Sequence, residues 1–373
     1  MSAAGDINGD GVDDFAFGAP QFNGSIGVPR ANGFAYIIYG RASAAGEIFP
    51  TELSLADFDG SHGIRIEGAE ASDGFGESVA HVGDVNGDGR PDLAIGARGH
   101  SVGGSAYVPF GRDAAAQGAF PEAFDASAIE GGLGFKMEVS STPKIWAGQT
   151  LGAAGDISGD GISDMLIGAP SAYVDGEKWV GQAYVVLGRP GGASAFPSVV
   201  NLEALDGSDG FVISGAGKLV RFGSALTGAD INGDGFSDVI IGPALVGDPS
   251  SERRRTAMVL YGKDDRLSGF QAEYEFADIN GVTGFWIEAP GNGEFFAAAA
   301  SAGDVNGDGL EDALIGSPLA RDSGYYFCYN RAGAVYTIFG RSPRCCPDLD
   351  HDGRLTIFDF LAFQALFSNE HPV

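Results

Sequence analysis

Apolar residues along this chain come in short runs separated by clusters of Gly, Asp, Asn and Ser. Five runs are apolar at consecutive positions: Phe15-Ala16-Phe17, Leu93-Ala94-Ile95, Met165-Leu166-Ile167, Val239-Ile240-Ile241 and Ala313-Leu314-Ile315. Consecutive apolar residues in runs too short for a helix predict strands buried on both faces. About 20 residues further on, each is followed by a second strand that ends in glycine and a basic residue, as in "AYIIYGR", "AYVPFGR", "AYVVLGR", "AMVLYGK" and "AVYTIFGR". A turn such as "LDGSDG" then leads into "FVISGA", with counterparts in "GIRIEGA", "GFKMEV" and "GFWIEA". Stretches such as "GFGESVAHVGD" and "RFGSALTGAD" finally run into the next unit. Each unit therefore carries four short strands.

The unit recurs with little drift. Its most regular part is "GDINGDGVDDFAFGAP" from Gly5, "GDVNGDGRPDLAIGAR" from Gly83, "GDISGDGISDMLIGAP" from Gly155, "ADINGDGFSDVIIGPA" from Ala229 and "GDVNGDGLEDALIGSP" from Gly303. The first aspartates are spaced by 78, 72, 74 and 74 residues. Four-stranded sheets buried on both faces need a neighbour on each side, and repetition around an axis supplies one. Linear solenoids use shorter periods, about 20 to 45 residues. The expected fold is all-β, a β-propeller of four-stranded blades with five repeats visible over residues 1–342, followed by a separate segment, 343–373.

The loops raise a question of charge. Read as D-x-[DNS]-x-D-G-x-x-D, each offers side-chain oxygens at positions 1, 3, 5 and 9 and a carbonyl at 7. The first loop supplies Asp6, Asn8, Asp10, the Val12 carbonyl and Asp14; the second, Asp84, Asn86, Asp88, the Arg90 carbonyl and Asp92. The third supplies Asp156, Ser158, Asp160, the Ile162 carbonyl and Asp164, its serine making a weaker site. The fourth supplies Asp230, Asn232, Asp234, the Phe236 carbonyl and Asp238, and the fifth Asp304, Asn306, Asp308, the Leu310 carbonyl and Asp312. So many oxygens within nine residues repel one another unless a cation sits between them. Calcium takes six to eight oxygens from carboxylates, carboxamides and carbonyls. Magnesium prefers rigid octahedral shells with several waters, and zinc would want His or Cys, which these loops lack. The plainer reading, that Asp, Asn and Gly simply make good turns, does not account for an aspartate at position 9 in all five. Glycines at positions 4 and 6 allow the tight curvature.

Composition fits this picture. The chain has 61 glycines in 373 residues, more than twice the usual share of about 7% and in line with many turns. Fifty acidic against 22 basic residues give a formal charge of −28, which would repel phosphate backbones and anionic lipid; nucleic acid is an unsuitable partner. No run of about 18 apolar residues is available to span a membrane. The start, "MSAAGDINGDG", lacks the basic and apolar regions of a signal peptide.

With these motifs in view, the chain resembles the FG-GAP repeats, the calcium-binding propeller repeats of integrin alpha subunits and many secreted bacterial proteins. "GFGES" (Gly74 to Ser78) and "RFGSA" (Arg221 to Ala225) match one half of the motif, and "GAP" at Gly18 to Pro20 and Gly168 to Pro170 the other. The resemblance implies a metal in the hairpin between the first two strands of each blade. Integrin propellers have seven blades, whereas five loops are visible here, and nothing after "AVYTIFGR" supplies a fourth strand for the last unit. The expected ring is either imperfectly closed or part of a larger one.

The segment "DLDHDGRLTIFD" places Asp348, Asp350, Asp352, the Arg354 carbonyl, Thr356 and Asp359 at positions 1, 3, 5, 7, 9 and 12, with Gly353 at 6. This is EF-hand loop spacing with Asp in place of Glu at 12. Followed by "FDFLAFQALF", it resembles half of a dockerin, a module that docks onto a cohesin; the plainer reading is a sixth calcium loop that caps the propeller. About five propeller calcium ions and one in the tail would return +12, leaving a charge near −16. Cys328 is expected to bridge to Cys345 or Cys346, leaving one thiol over.

No nucleophile elbow, P-loop or dinucleotide fingerprint is present. His62, His81, His100, His351 and His371 are scattered and read as surface or turn residues. Paired acids such as Glu70 and Asp73 could serve a glycosidase, but in so acidic a chain they are expected by accident. The sequence thus predicts a non-catalytic, calcium-stabilised module, extracellular or on a cell surface, for a protein or glycan ligand. Trp179, Tyr325, Tyr326 and Tyr329 are its candidate aromatic contacts; a scaffold presenting the docking tail is the alternative, and a propeller hydrolase the further one.

Overall fold

Each aspartate-rich loop closes a β-hairpin, and the hairpin is the start of a sheet. The computed structural model describes residues 1–21, 32–42, 49, 51–55, 60, 62–100, 102–142, 145–243, 256–288, 296, 298–318 and 333–341. The first blade contains β1 (Ser2–Gly5), β2 (Asp14–Ala19), β3 (Phe34–Ile38) and β4 (Gly63–Glu67). The second has β5 (Val79–Gly83), β6 (Asp92–Ala97) and β7 (Ser105–Pro109), then a single-turn helix α1 (Ala114–Gln117), β8 (Ala123–Asp125) and β9 (Gly134–Glu138). The third has β10 (Thr150–Gly155), β11 (Asp164–Ala169), β12 (Gln182–Val186), β13 (Val199–Asn201) and β14 (Gly210–Ser214). The fourth has β15 (Ala225–Ala229), β16 (Asp238–Gly242), β17 (Thr256–Leu260), β18 (Glu273–Tyr274) and β19 (Gly284–Glu288). The fifth has β20 (Ala298–Gly303), β21 (Asp312–Ser317) and β22 (Ala334–Ile338).

The chain is all-β, and its sheets are β-propeller blades. Within a blade, neighbours run antiparallel: β2 lies between β1 and β3, and β3 pairs with β4. The expected count of four strands per blade holds for the fourth sheet only. Three sheets have five, in the orders β1-β2-β3-β4-β8, β13-β9-β7-β6-β5 and β10-β11-β12-β14-β18, and the last has three, β20-β21-β22. The fifth strand is a clasp: β8, β13 and β18 each leave the connection of one blade and pair in parallel with the outer strand of the blade before. Each clasp begins 11 residues before the fourth strand of its own blade, at Ala123, Val199 and Glu273.

An aromatic residue ahead of each clasp explains the basic residue that closes the third strand. Arg112 lies over Phe120, Arg189 over Phe196 and Lys263 over Phe270, with cation-to-ring distances of 5.4, 5.0 and 4.8 Å. Such contacts contribute about 0.5 to 1 kcal/mol each. Phe196 also stacks on the buried Phe135 at 4.1 Å, and Phe270 on Phe211 at 4.8 Å.

Contacts divide the chain into two units. One comprises Met1–Ala153, Ile162–Ile167 and Tyr184–Leu205; the other comprises Ala154–Gly161, Gly168–Ala183 and the chain from Asp206 onward. In the first unit one core cluster joins Ile37, Ile64 and Ile66 to Phe75, Leu93 and Ile95, and another gathers Tyr36 and Ile38 with Phe17, Leu53 and Leu55; in the second, Ile231, Ile240 and Val259 pack with Phe296 and Ile315. The consecutive apolar runs are buried along their whole length in β6, β11 and β16, as the sequence predicts, whereas in β2 Phe15 is exposed and Phe17 half-buried and in β21 Leu314 is half-buried. Glycines let these sheets approach closely: a Cβ on Gly18 would lie 1.8 Å from the Gly76 carbonyl oxygen, and one on Gly96 would lie 2.0 Å from that of Gly148.

Candidate metal centres in the five loops

The loop conformation follows from its glycines and aspartates. Positions 4 and 6 have positive φ throughout, from +70° at Gly87 and Gly233 to +93° at Gly235. A Cβ at position 6 would meet nothing within 4 Å in any of the five, so the backbone conformation and not lack of room calls for glycine there. The glycine before the loop sits at a β-bulge in the first, second and fifth blades, with φ of +61°, +79° and +62°. Ala229 takes that place in the fourth blade, and there the register runs without a shift.

Each loop is a nest of short turns around its first aspartate. Asp84 accepts the N–H groups of Asp88 (3.1 Å) and Gly89 (2.7 Å) on its two oxygens; Asp6 does the same with Asp10 and Gly11. Asp156, Asp230 and Asp304 also take the N–H of position 4. The position 3 asparagines, Asn8, Asn86, Asn232 and Asn306, accept from the N–H of position 5 and donate to its carboxylate. Position 5 in turn accepts from the N–H of position 7: Asp10 from Val12, Asp88 from Arg90, Asp234 from Phe236 and Asp308 from Leu310. In the third loop the Ser158 hydroxyl reaches Asp156 at 3.5 Å, and Asp160 donates its N–H to Asp156.

Position 9 does something the sequence reading missed. Asp14, Asp92, Asp164, Asp238 and Asp312 are buried. Asp92 accepts the N–H of Val85 at 2.9 Å on one oxygen and that of Gly111, at the end of the third strand, at 2.8 Å on the other. Asp14 is held in the same way by Ile7 and Gly40, Asp238 by Ile231 and Gly262, and Asp312 by Val305 and Gly340; Asp164 accepts from Gly188. This aspartate staples the start of its loop to the Gly-basic end of its own sheet, and the recurrence of a Gly-basic pair 19 to 28 residues after it was the available signal. The next blade holds the loop from outside. The N–H of the basic residue there donates to the position 2 carbonyl, Arg112 to Ile7, Arg189 to Val85, Lys263 to Ile157 and Arg341 to Ile231.

Electrostatics make these anions costly. Burial, joined by the charge of Asp10, raises the Asp14 carboxyl to about 6; burial with Asp234 and Asp230 raises Asp238 to about 8. Burial pushes Asp92 well above the carboxylate range, and Asp88 and Asp84 add to it. In the open fifth loop the N–H of Gly309 instead holds Asp304 below its usual value. Among the described residues no three His, Cys, Asp or Glu side chains are gathered as a ready metal cluster, because the carboxylates turn onto loop amides. The donor set is nonetheless all oxygen, anionic and hard, each carboxylate oxygen keeps a second lone pair, and the raised carboxyls are what a divalent cation relieves. These residues fit calcium by their chemistry.

The other candidates are placed as follows. Asp73 is buried and accepts the N–H of Phe75 at 2.8 Å, so it shapes the turn before β5. His100 lies in the turn after β6, its N–H donating to the Ala97 carbonyl, but is buried there and not on the surface, with Glu70 at 3.7 Å and the Tyr107 hydroxyl at 3.4 Å. Trp179 is half-buried beneath the Arg221 guanidinium at 5.0 Å and not an open aromatic platform. Tyr325, Tyr326, Tyr329, the three cysteines and the tail loop from Asp348 to Asp359 lie outside the described residues. Among the described residues no helix is long and apolar enough to cross a membrane.

Comparison with known proteins agrees with the repeat. The FG-GAP repeat model matches residues 2–38, 75–108, 147–186, 222–244 and 296–338. Integrin alpha-7 of Homo sapiens is 28% identical over 230 residues, covering 60% of this chain and 16% of that protein. Integrin alpha-V of Gallus gallus is 29% identical over 247 residues, 64% of this chain and 19% of its own length. Phosphatidylinositol-glycan-specific phospholipase D of Dictyostelium discoideum is 27% identical over 275 residues, 69% of this chain and 27% of its own. The chain thus spans well under a third of each of these relatives. The five stretches matched by the FG-GAP repeat model fall one on each blade.

Proposed function

We propose that the chain is a calcium-loaded binding module of the extracellular space or cell surface, without catalysis of its own, whose ligand is a protein or glycan. The observation that carries this reading is the buried aspartate at position 9. Four of these carboxylates accept two backbone N–H groups each, and Asp14, Asp92 and Asp238 sit above the carboxylate range beside further acids. A fold that buries anions in every repeat is stabilised when a cation shares them. Asp6, Asn8, Asp10, the Val12 carbonyl and Asp14, with their counterparts in the other four loops, are the residues that would hold it. The ion would supply cross-linking of loop to sheet at the seam where the next blade rests. Calcium near millimolar is available outside cells, which matches open loops of modest affinity. The similarity to phosphatidylinositol-glycan-specific phospholipases D concerns the same repeats and under a third of each enzyme; for this chain the repeats are read as the binding part. The dockerin-like tail and a cohesin-like partner remain the separate proposal of a docking segment.

The test is thermal unfolding in millimolar calcium against excess chelator. A site with a dissociation constant near 10 μM gains about 2.7 kcal/mol when calcium is at 100 times that value. A clear upward shift of the midpoint is expected; an unchanged midpoint would mean that the aspartates only make turns.

A further inference from the structure

Three donors outside the aspartate loops meet at the other end of the second blade. His100 stands in the turn after β6, and Glu70 and Asp73 stand in the connection from β4 to β5. β6 leaves its loop at Asp92 and reaches this turn at Ala97, so loop and cluster lie at opposite ends of one strand. Backbone bonds tie the two turns together. The N–H of Gly99 donates to the Asp73 carbonyl at 2.7 Å, and that of His100 to the Ala97 carbonyl at 3.0 Å.

Nδ1 of His100 lies 3.7 Å from Oε2 of Glu70 and 4.0 Å from Oδ2 of Asp73. The imidazole is 10% and Asp73 1% exposed, whereas Glu70 is 63% exposed. Among the described residues Nδ1 has no hydrogen-bond partner, although the other ring nitrogen is 3.4 Å from the Tyr107 hydroxyl. A buried ring nitrogen aimed at two carboxylates and bonded to neither is costly. Its separations are too long for a hydrogen bond and too short for a bridging water, whose two bonds of about 2.8 Å span about 4.6 Å. Two metal bonds of about 2.0 Å at a tetrahedral angle hold their donors about 3.3 Å apart. The three donors stand wider than that, which is why they form no ready cluster. A closure of roughly half an ångström, by the exposed Glu70 and a tilt of the ring, brings them to bonding distance.

We propose that His100, Asp73 and Glu70 bind a zinc-class divalent ion, at a site separate from the five loops and of different chemistry. Imidazole nitrogen selects zinc and its borderline neighbours over calcium and magnesium, which take oxygen. Two carboxylates balance the ion's two positive charges where burial makes a net charge expensive. With Nε2–H donated to the Tyr107 hydroxyl, Nδ1 keeps its lone pair for the metal and the ring is held in place. The N–H of Phe75 fixes the other oxygen of Asp73 at 2.8 Å. Burial raises the Asp73 carboxyl above its ordinary value and lowers His100 below its own. A metal takes ionised carboxylate and neutral imidazole, so it relieves the first and suits the second. Lys136, whose charge also reaches His100, is itself paired with Glu138 at 2.7 Å. Three protein donors leave a fourth position for water.

The experiment is calorimetric titration of the full chain with zinc, in millimolar calcium so that the aspartate loops are supplied with their own ion. The wild type is expected to bind zinc in the micromolar range at one site more than His100→Gln does. Glu70→Gln weakens that site at least about tenfold; its side chain is exposed, so it serves if the histidine variant disturbs the core. Zinc held by Cys345, Cys346 or His351 of the tail counts equally in all three proteins and cancels. Nitrogen spectra of the imidazoles name the ligand atom: zinc shifts Nδ1 of the resonance that His100→Gln lacks. A wild type that takes up no zinc below millimolar concentration overturns the inference. So does binding that both variants keep unchanged, zinc displaced by raising calcium, or a His100 resonance that zinc leaves where it was.

Discussion

Removing metal should invert the ordinary response of a folded protein to acid. An ordinary aspartate titrates near 3.8, whereas Asp238 is pushed up to about 8 and Asp14 to about 6 by burial and neighbouring acids. A raised carboxyl means that the folded state holds its proton more tightly than the unfolded chain. The penalty is absent below the unfolded value and grows by about 1.4 kcal/mol per pH unit until the folded value is reached. From pH 5 to pH 7 the metal-free protein therefore loses about 3 kcal/mol at Asp238 and about 1 kcal/mol at Asp14. The two residues lie in different units, and in the unit that holds Asp238 a loss of about 3 kcal/mol lowers the melting temperature by about 8 °C. The assay is calorimetry in excess chelator at the two pH values, in about 0.5 M salt so that repulsion between surface acids is screened. Asp238→Asn, which cannot titrate, should remove the share of the fall that Asp238 contributes and leave those of Asp14 and Asp92. Millimolar calcium should abolish it, because bound calcium selects ionised ligands. A chelated midpoint that is flat or rising from pH 5 to 7 would refute the burial argument, and a fall that calcium leaves untouched would refute these carboxylates as ligands.

Other substitutions probe the packing around the loops. Gly18→Ala forces a Cβ onto the Gly76 carbonyl and should cost about 3 kcal/mol in urea unfolding; a loss under 1 kcal/mol would show that the first sheet can shift. Phe196→Ala removes the ring between Arg189 and Phe135 that introduces the clasp β13, with an expected loss of about 3 kcal/mol and faster amide exchange at Val199–Asn201. Glu203→Ala leaves the N–H groups of Ser140 and Ser141 to water and should cost about 1 kcal/mol, since the site is exposed.

Much of the molecule was legible in the order of its residues. Five near-identical loops and the apolar runs behind them carry the repeat, its strands and the positive-φ glycines, because backbone conformation and burial on both faces leave local marks. The candidate ligands were legible for the same reason, each loop being self-contained within nine residues. The clasps were not: β8, β13 and β18 are two or three residues long and pair with a sheet that precedes them by more than 50 residues. Only the packing of Phe120, Phe196 and Phe270 under the basic residue of the third strand brings them there. The position 9 aspartate shows the same division. Its identity and spacing are in the sequence, but that it ties loop to sheet, and that its charge is raised in energy by doing so, follows from burial that only the assembled blades create.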